Sequence, residues 1–132
     1  MWLLDTNVWI AYLGKRPSPA KQRIANLPEK QLWLCDVVKS ELYYGAYKSV
    51  QLNANLARLE TLFALISSLP FNSAAARHCG EIRAYLARQG TPIGPYDVQI
   101  AAIARTNDLT LVTNNTSEFS RVPGLRLEDW QV

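Results

Sequence analysis

The chain has 132 residues, 48% of them hydrophobic, with 14 basic and 11 acidic residues and a net charge of +3. That length suits one domain able to bury its own core. No apolar run approaches the ~20 residues of a membrane helix. The first residues also lack the basic start and cleavage site of a secretory signal. The expectation is a single domain over residues 1–132, cytoplasmic, with a mild attraction for polyanions.

Taken in chain order, residues 1–5 read as a short buried strand that runs into Asp5. Thr6 to Leu13 read as a helix that Asp5 or Thr6 can cap. "GKRPSP" is a basic loop, followed by a short helix from Ala20 to Leu27. "QLWLC" (31–35) is a second strand and "VVKSELYYGAYK" a helix. Leu52, Leu56, Leu59, Phe63 and Ile66 recur at helical spacing and predict an amphipathic helix. A short strand follows at Ser67–Leu69, stopped by Pro70. Ala75, Cys79, Ile82 and Leu86 form another helical stripe, which Gly90 closes. After the stiff "TPIGP" loop a helix starts near Pro95 and runs through "YDVQIAAIART". "LTLVT" is a strand ended by the turn-rich "NNTSEF", and "LRLED" holds a last strand. This alternation predicts an α/β layer fold around a mainly parallel sheet. In such sheets ligands bind beyond the carboxyl ends of the strands, where Asp5 falls.

Three acids stand in apolar surroundings. Asp5 ends the first strand. Glu41 lies among Val37, Val38, Leu42, Tyr43 and Tyr44. Asp97 opens a helix that is otherwise almost all aliphatic. A buried carboxylate is costly unless it is paired or binds a metal. Three of them at the strand ends of one sheet suit a hard cation, Mg²⁺ or Mn²⁺. Each also has a plainer reading: Asp5 as a helix cap, Asp97 as a complement to the helix dipole, Glu41 on a wet helix stripe. Asn115, just past the "LTLVT" strand, can offer a carbonyl oxygen at the same rim or be a turn residue, and Glu118 competes for that corner. Thr6 and Thr113 can orient a carboxylate there or act as caps. Cys35 and Cys79, outside any CxxC pattern, read as core residues. His78, the only histidine, reads as structural and leaves too thin a ligand set for zinc. One of the four tryptophans, if exposed, could stack a base. Glycine-rich phosphate loops and a nucleophilic serine elbow are absent.

"LLDTNVWI", "SELYYGA", "GPYDVQIAAIA" and "LTLVTNNTSEF…VPGLRLEDW", in this order across nearly the whole chain, resemble the PIN-domain ribonucleases. Within them they are similar to the VapC-type toxins of bacterial toxin–antitoxin pairs. The resemblance implies an α/β/α sandwich, usually a homodimer, that cleaves RNA endonucleolytically with Mg²⁺ or Mn²⁺. It implies metal-site roles for Asp5, Glu41 and Asp97. Asn115 falls on a fourth position that is Asp in many relatives. "LARQGTPIGPYD" and "TNNTSEF" resemble members that cut tRNA in its anticodon loop. An antitoxin of the VapB type that lays a segment over the acidic groove is implied as partner. Setting the three acids aside leaves a basic excess of six on the rest of the chain, enough to attract an RNA backbone, with the "GKRPSP" loop and Lys39 as candidate contacts. Two competing readings are a non-catalytic RNA- or protein-binding module and a DNA- or flap-directed nuclease of the same fold.

Overall fold

The computed structural model describes residues 1–132. The elements follow as β1 (Trp2–Leu4), α1 (Thr6–Leu13), α2 (Pro19–Ala25), β2 (Leu32–Cys35), α3 (Asp36–Lys48), α4 (Leu52–Leu65), β3 (Ser67–Leu69), α5 (Ser73–Gln89), α6 (Pro95–Thr106), β4 (Thr110–Val112), α7 (Thr116–Phe119) and β5 (Leu127–Glu128). A single 3-10 turn, Glu29–Gln31, leads into β2.

The five strands form one sheet in the order β3-β2-β1-β4-β5. Every neighbouring pair is parallel, with Trp2 beside Leu32 and Thr110, and Leu111 beside Leu127. The expectation of a mainly parallel sheet is thus met without exception. Successive strand residues Leu3 and Leu4, Leu34 and Cys35, and Leu111 and Val112 are all fully buried. Side chains alternate between faces along a strand, so both faces of the sheet are covered. That requires the helical layers on either side, and parallel strands read as continuous apolar runs for the same reason.

Local chemistry explains where the helices stop and start. Ser18 caps α2 by accepting from the Lys21 N–H at 3.1 Å, and Pro19 occupies the first turn. The helix therefore starts one residue earlier than the sequence suggested, and it ends at Ala25 rather than Leu27. On α5, Asn72 accepts from the Ala75 N–H at 3.0 Å, and Gly90 ends the helix at φ 70°. An L side chain at Gly90 would be strained, which is why glycine suits that cap. Ala75, Cys79, Ile82 and Leu86 are the buried face of α5, which packs along α6. Truncating Ile82 to alanine there would cost ~2–5 kcal/mol.

One expectation is corrected. "TSEF" within the turn-rich stretch forms the short helix α7, whose Phe119 is fully buried. The Leu52–Ile66 stripe, read from the sequence as an amphipathic helix, turns its apolar face inward: Leu59, Leu62 and Ile66 are buried, and Leu56 and Phe63 lie against the core. No helix is long and apolar enough to cross a membrane.

Candidate active site

The chain runs from β1 outward through β2 to β3, then returns to the other side of β1 for β4 and β5. That reversal places a topological switch point between β1 and β4, and the loops there diverge to leave a crevice at the carboxyl ends of the strands. Asp5 and Thr113 are the first residues beyond the two strands. The Asp5 N–H still donates to the Val112 carbonyl at 2.9 Å. The Thr113 hydroxyl donates to Asp5 Oδ2 at 2.9 Å, and the Thr6 N–H donates to Asp5 Oδ1 at 2.8 Å. Asp5, only 6% exposed, is thus held at both oxygens. It caps α1 and faces the crevice at once, so its two sequence readings do not exclude each other. Burial pushes its carboxyl above the usual range; the Thr113 and Thr6 donors oppose this, and the charge of Glu41 adds to it.

Glu41 is half-buried in the middle of α3, which packs against α1 and α6. The Thr6 hydroxyl donates to Glu41 Oε1 at 2.7 Å. Asp97 is in the first turn of α6, after Pro95, with Gly94 as the cap residue. Its carboxylate lies back over Gly94: a Cβ on that glycine would stand 3.5 Å from Asp97 Oδ2. Burial first, then the charges of Asp5, Glu41 and Glu118, push the Asp97 carboxyl up to about 6. The three acids expected to converge therefore share one electrostatic environment, and Glu118 belongs to it.

Asn115 stands at the expected rim, as the residue that leads into α7. Its N–H donates to the Thr113 hydroxyl at 3.0 Å, and its Nδ2 donates to Glu118 Oε2 at 3.2 Å. Its amide steadies Glu118, and the charge at this corner is carried by Glu118. Thr113, readable as a cap, instead links Asp5 to the Asn115 backbone.

The molecule's three ion pairs are Arg23–Glu128, Arg105–Glu81 and Arg126–Asp108. None involves Asp5, Glu41, Asp97 or Glu118. Asp97 thus feels three other carboxylates, none of the four is ion-paired, and all the donors are hard oxygens. That chemistry fits a divalent ion such as Mg²⁺. The carboxylates are not already gathered around one point, since no three acidic, histidine or cysteine side chains form a finished ligand group. Asp5 is held by Thr6 and Thr113, Glu41 by the Thr6 hydroxyl, and the like charges around Asp97 favour keeping it apart from them.

Other candidates resolve into structure. His78 Nδ1 accepts from Arg105 Nε at 2.9 Å, so the histidine helps fix an α5–α6 contact. Cys35 and Cys79 are free and buried. Lys39 lies 4.8 Å from the centre of the Phe63 ring, covering the core rather than reaching outward. Trp9 and Trp130 are buried, and Trp2 and Trp33 lie partly buried against the core. No tryptophan is free to stack a base; Tyr44, Tyr47, Phe71 and Tyr96 are the exposed aromatic rings. In the basic loop, Lys15 and Arg16 are exposed as expected. The sequence reading passed over Arg58, which lines a cleft with Glu41, Leu42 and Leu59. Its place on the turn of α4 between Leu56 and Leu59 was the available signal.

A parallel α/β domain with carboxylates at its switch point is an arrangement suited to holding a divalent ion beside a bound ligand. The PIN domain family model matches residues 2–125. The tRNA(fMet)-specific endonuclease VapC of Shigella flexneri is 46% identical over 129 residues, covering 98% of this chain and 97% of that protein. The DNA-bound VapBC structure from Salmonella typhimurium contains a chain 43% identical, with a TM-score of 0.91, covering 98% of this chain and 97% of that one. VapBC2 from Rickettsia felis, solved with a DNA fragment from the promoter, gives 32% identity and a TM-score of 0.90 over 98% of each chain. The chain belongs to the PIN-domain family, among the VapC ribonucleases.

Proposed function

We propose that this chain is the toxin of a toxin–antitoxin pair, a Mg²⁺- or Mn²⁺-dependent endoribonuclease whose substrate is a tRNA. The carrying observation is the set of four carboxylates at the switch point with no cation among them. Support for tRNA comes from the Shigella flexneri and Salmonella typhimurium relatives, both named tRNA(fMet)-specific endonucleases, at 46% and 43% identity. Asp5, Glu41 and Asp97 would hold the ion, with Glu118, steadied by Asn115, adding charge at its edge. A bound divalent ion supplies neutralisation of phosphodiester charge and acidifies water nearby.

The chain's own residues supply the rest. Thr113 and the Thr6 N–H fix the direction of the Asp5 carboxylate. No histidine stands in the crevice, so protons there move to and from carboxylates and water. Lys15, Arg16 and Arg58 offer positive charge for the RNA backbone outside the acidic centre. The antitoxin is a VapB-type protein, as in the VapBC structures, and an arginine from it would match the paired carboxylates. The working unit is a cytoplasmic homodimer. With the α4 stripe used internally, the exposed Tyr44 and Tyr47 on α3 are the apolar face available for it.

The test is cleavage of purified tRNA and of total RNA, with Mg²⁺ and with EDTA, beside Asp5→Asn. We expect discrete tRNA cuts with Mg²⁺, none in EDTA, and none from a folded Asp5→Asn protein. Wild-type cleavage persisting in EDTA, or an Asp5→Asn protein as active as wild type, overturns the reading. Preferential cutting of DNA favours the flap-directed alternative.

A further inference from the structure

We propose that Thr6 is a positioning residue of this nuclease, setting Glu41 against Asp5 through a single side chain; the proposal rests on the reading of Asp5, Glu41 and Asp97 as the ion-holding acids. Thr6 is the first residue of α1, where a backbone N–H has no acceptor within the helix and is free for another use. Here it donates to Asp5 Oδ1 at 2.8 Å. Its hydroxyl donates to Glu41 Oε1 at 2.7 Å, across 35 residues of sequence. One residue therefore addresses both carboxylates, and the spacing between them is set by the dimensions of a threonine.

The hydroxyl is needed because Glu41 has somewhere else to go. Its side chain also lines a cleft of about 320 Å³ between α1, α3 and α4, walled by Leu13, Leu42 and Leu59. Arg58 and Asn55 line the same cleft. They offer a carboxylate a cation and an amide. Glutamate has three side-chain torsions, and α3 fixes only where it starts. The Thr6 hydroxyl holds Glu41 on the crevice side. A β-branched residue at this position has few rotamers, so the hydroxyl is itself held in direction. Neither a helix cap nor core packing requires this contact, because Asp5 already caps α1.

The test compares wild type with Thr6→Val, Thr6→Ala and Thr6→Ser. Val keeps the shape and Ala keeps the helix, so the two together guard against a variant that fails to fold. Two titrations with Mg²⁺ are read: the rise in melting temperature, and the rate of RNA cleavage. Loss of a residue that orients a metal ligand typically costs 10–100-fold in metal affinity or activity. Thr6→Val and Thr6→Ala should thus need ~10-fold or more Mg²⁺ for the same melting shift, with kcat reduced and KM for RNA little changed. Thr6→Ser should behave as wild type within ~3-fold, since it restores the hydroxyl. In a Glu41→Gln background, Thr6→Val should weaken the Mg²⁺ response no further, because residues acting through one another are not additive. The proposal is overturned if Thr6→Val and Thr6→Ala respond to Mg²⁺ as wild type does, if Thr6→Ser is as defective as they are, or if the Glu41→Gln and Thr6→Val losses simply add. If wild type itself shows no Mg²⁺ melting shift and cuts RNA in EDTA, the ion-site reading fails and takes this proposal with it. That result is separable from the others because it shows in wild type alone.

Discussion

Replacing Asp97 by asparagine should make the metal-free protein more stable while destroying its activity. An unfolded chain titrates Asp97 near its ordinary 3.8, whereas the folded crevice holds it near 6. Between those values the folded state binds more protons than the unfolded state. Stability therefore falls as pH rises through that window, and the full loss is in place above pH 6. Taken at face value the excursion is ~3 kcal/mol, but Asp97 is partly open to water and screening reduces it to ~1–1.5 kcal/mol. The asparagine loses a favourable charge at the start of α6, ~0.3–1 kcal/mol in the opposite sense. The net gain above pH 6 is ~0–1.2 kcal/mol, or up to ~5 °C in melting temperature. Removing a charge that is buried and faces other carboxylates thus offsets or outweighs the lost dipole interaction. The assay is a set of melting curves in EDTA from pH 4 to 7.5. Asp97→Asn should melt higher than wild type at pH 7.5, and the gap should narrow toward pH 4, where the folded-state carboxyl is protonated and the unfolded-state one approaches its own midpoint. Mg²⁺ should then raise wild type, by up to ~2.7 kcal/mol at a hundredfold excess over Kd, and raise the mutant less. A mutant that melts below wild type at pH 7.5, with no pH-dependent gap, would show that Asp97 serves the helix end and not a shared acidic site.

Asn115→Asp should act in the reverse direction. It replaces the amide that donates to Glu118 with a like charge, so the protein in EDTA should lose ~1–2 kcal/mol and gain more from Mg²⁺ or Mn²⁺, read by the same melts. Light scattering at micromolar concentration should give a dimer mass for wild type and a monomer mass for Tyr44→Glu combined with Tyr47→Glu; a monomeric wild type would remove the interface assigned to α3.

Local patterns revealed most of the architecture. The leucine spacing of α4 and the αL glycine closing α5 are each written within a few residues, and both helices stand where those signals put them. Helix α7 was hidden because four residues are too few to show a period, and Asn114, Asn115 and Thr116 at its start read as turn chemistry. The α4 stripe told of an apolar face but not of what covers it; burial against the chain's own core is decided by partners far off in sequence. The acids were visible as charges in apolar company. What joins them was not. Thr113 reaches Asp5 across 108 residues, and Thr6 reaches Glu41 across 35. No periodicity records such contacts, so both hydroxyls looked equally well like caps. The role of Asn115 was obscured for the same reason, since its amide partner is set by the course of α7.

The place of β1 in the middle of the sheet has a consequence for how the enzyme comes into being. Asp5 is made well before its hydroxyl partner Thr113, which follows 108 residues later. At ~5–20 residues per second the wait is ~5–20 s, and Asp97 also arrives late in it. Until β4 docks, one edge of β1 is open and the crevice has a single wall. No growing chain that stops short of Thr110 contains the site. The acidic crevice is thus completed only once both halves of the sheet have been made.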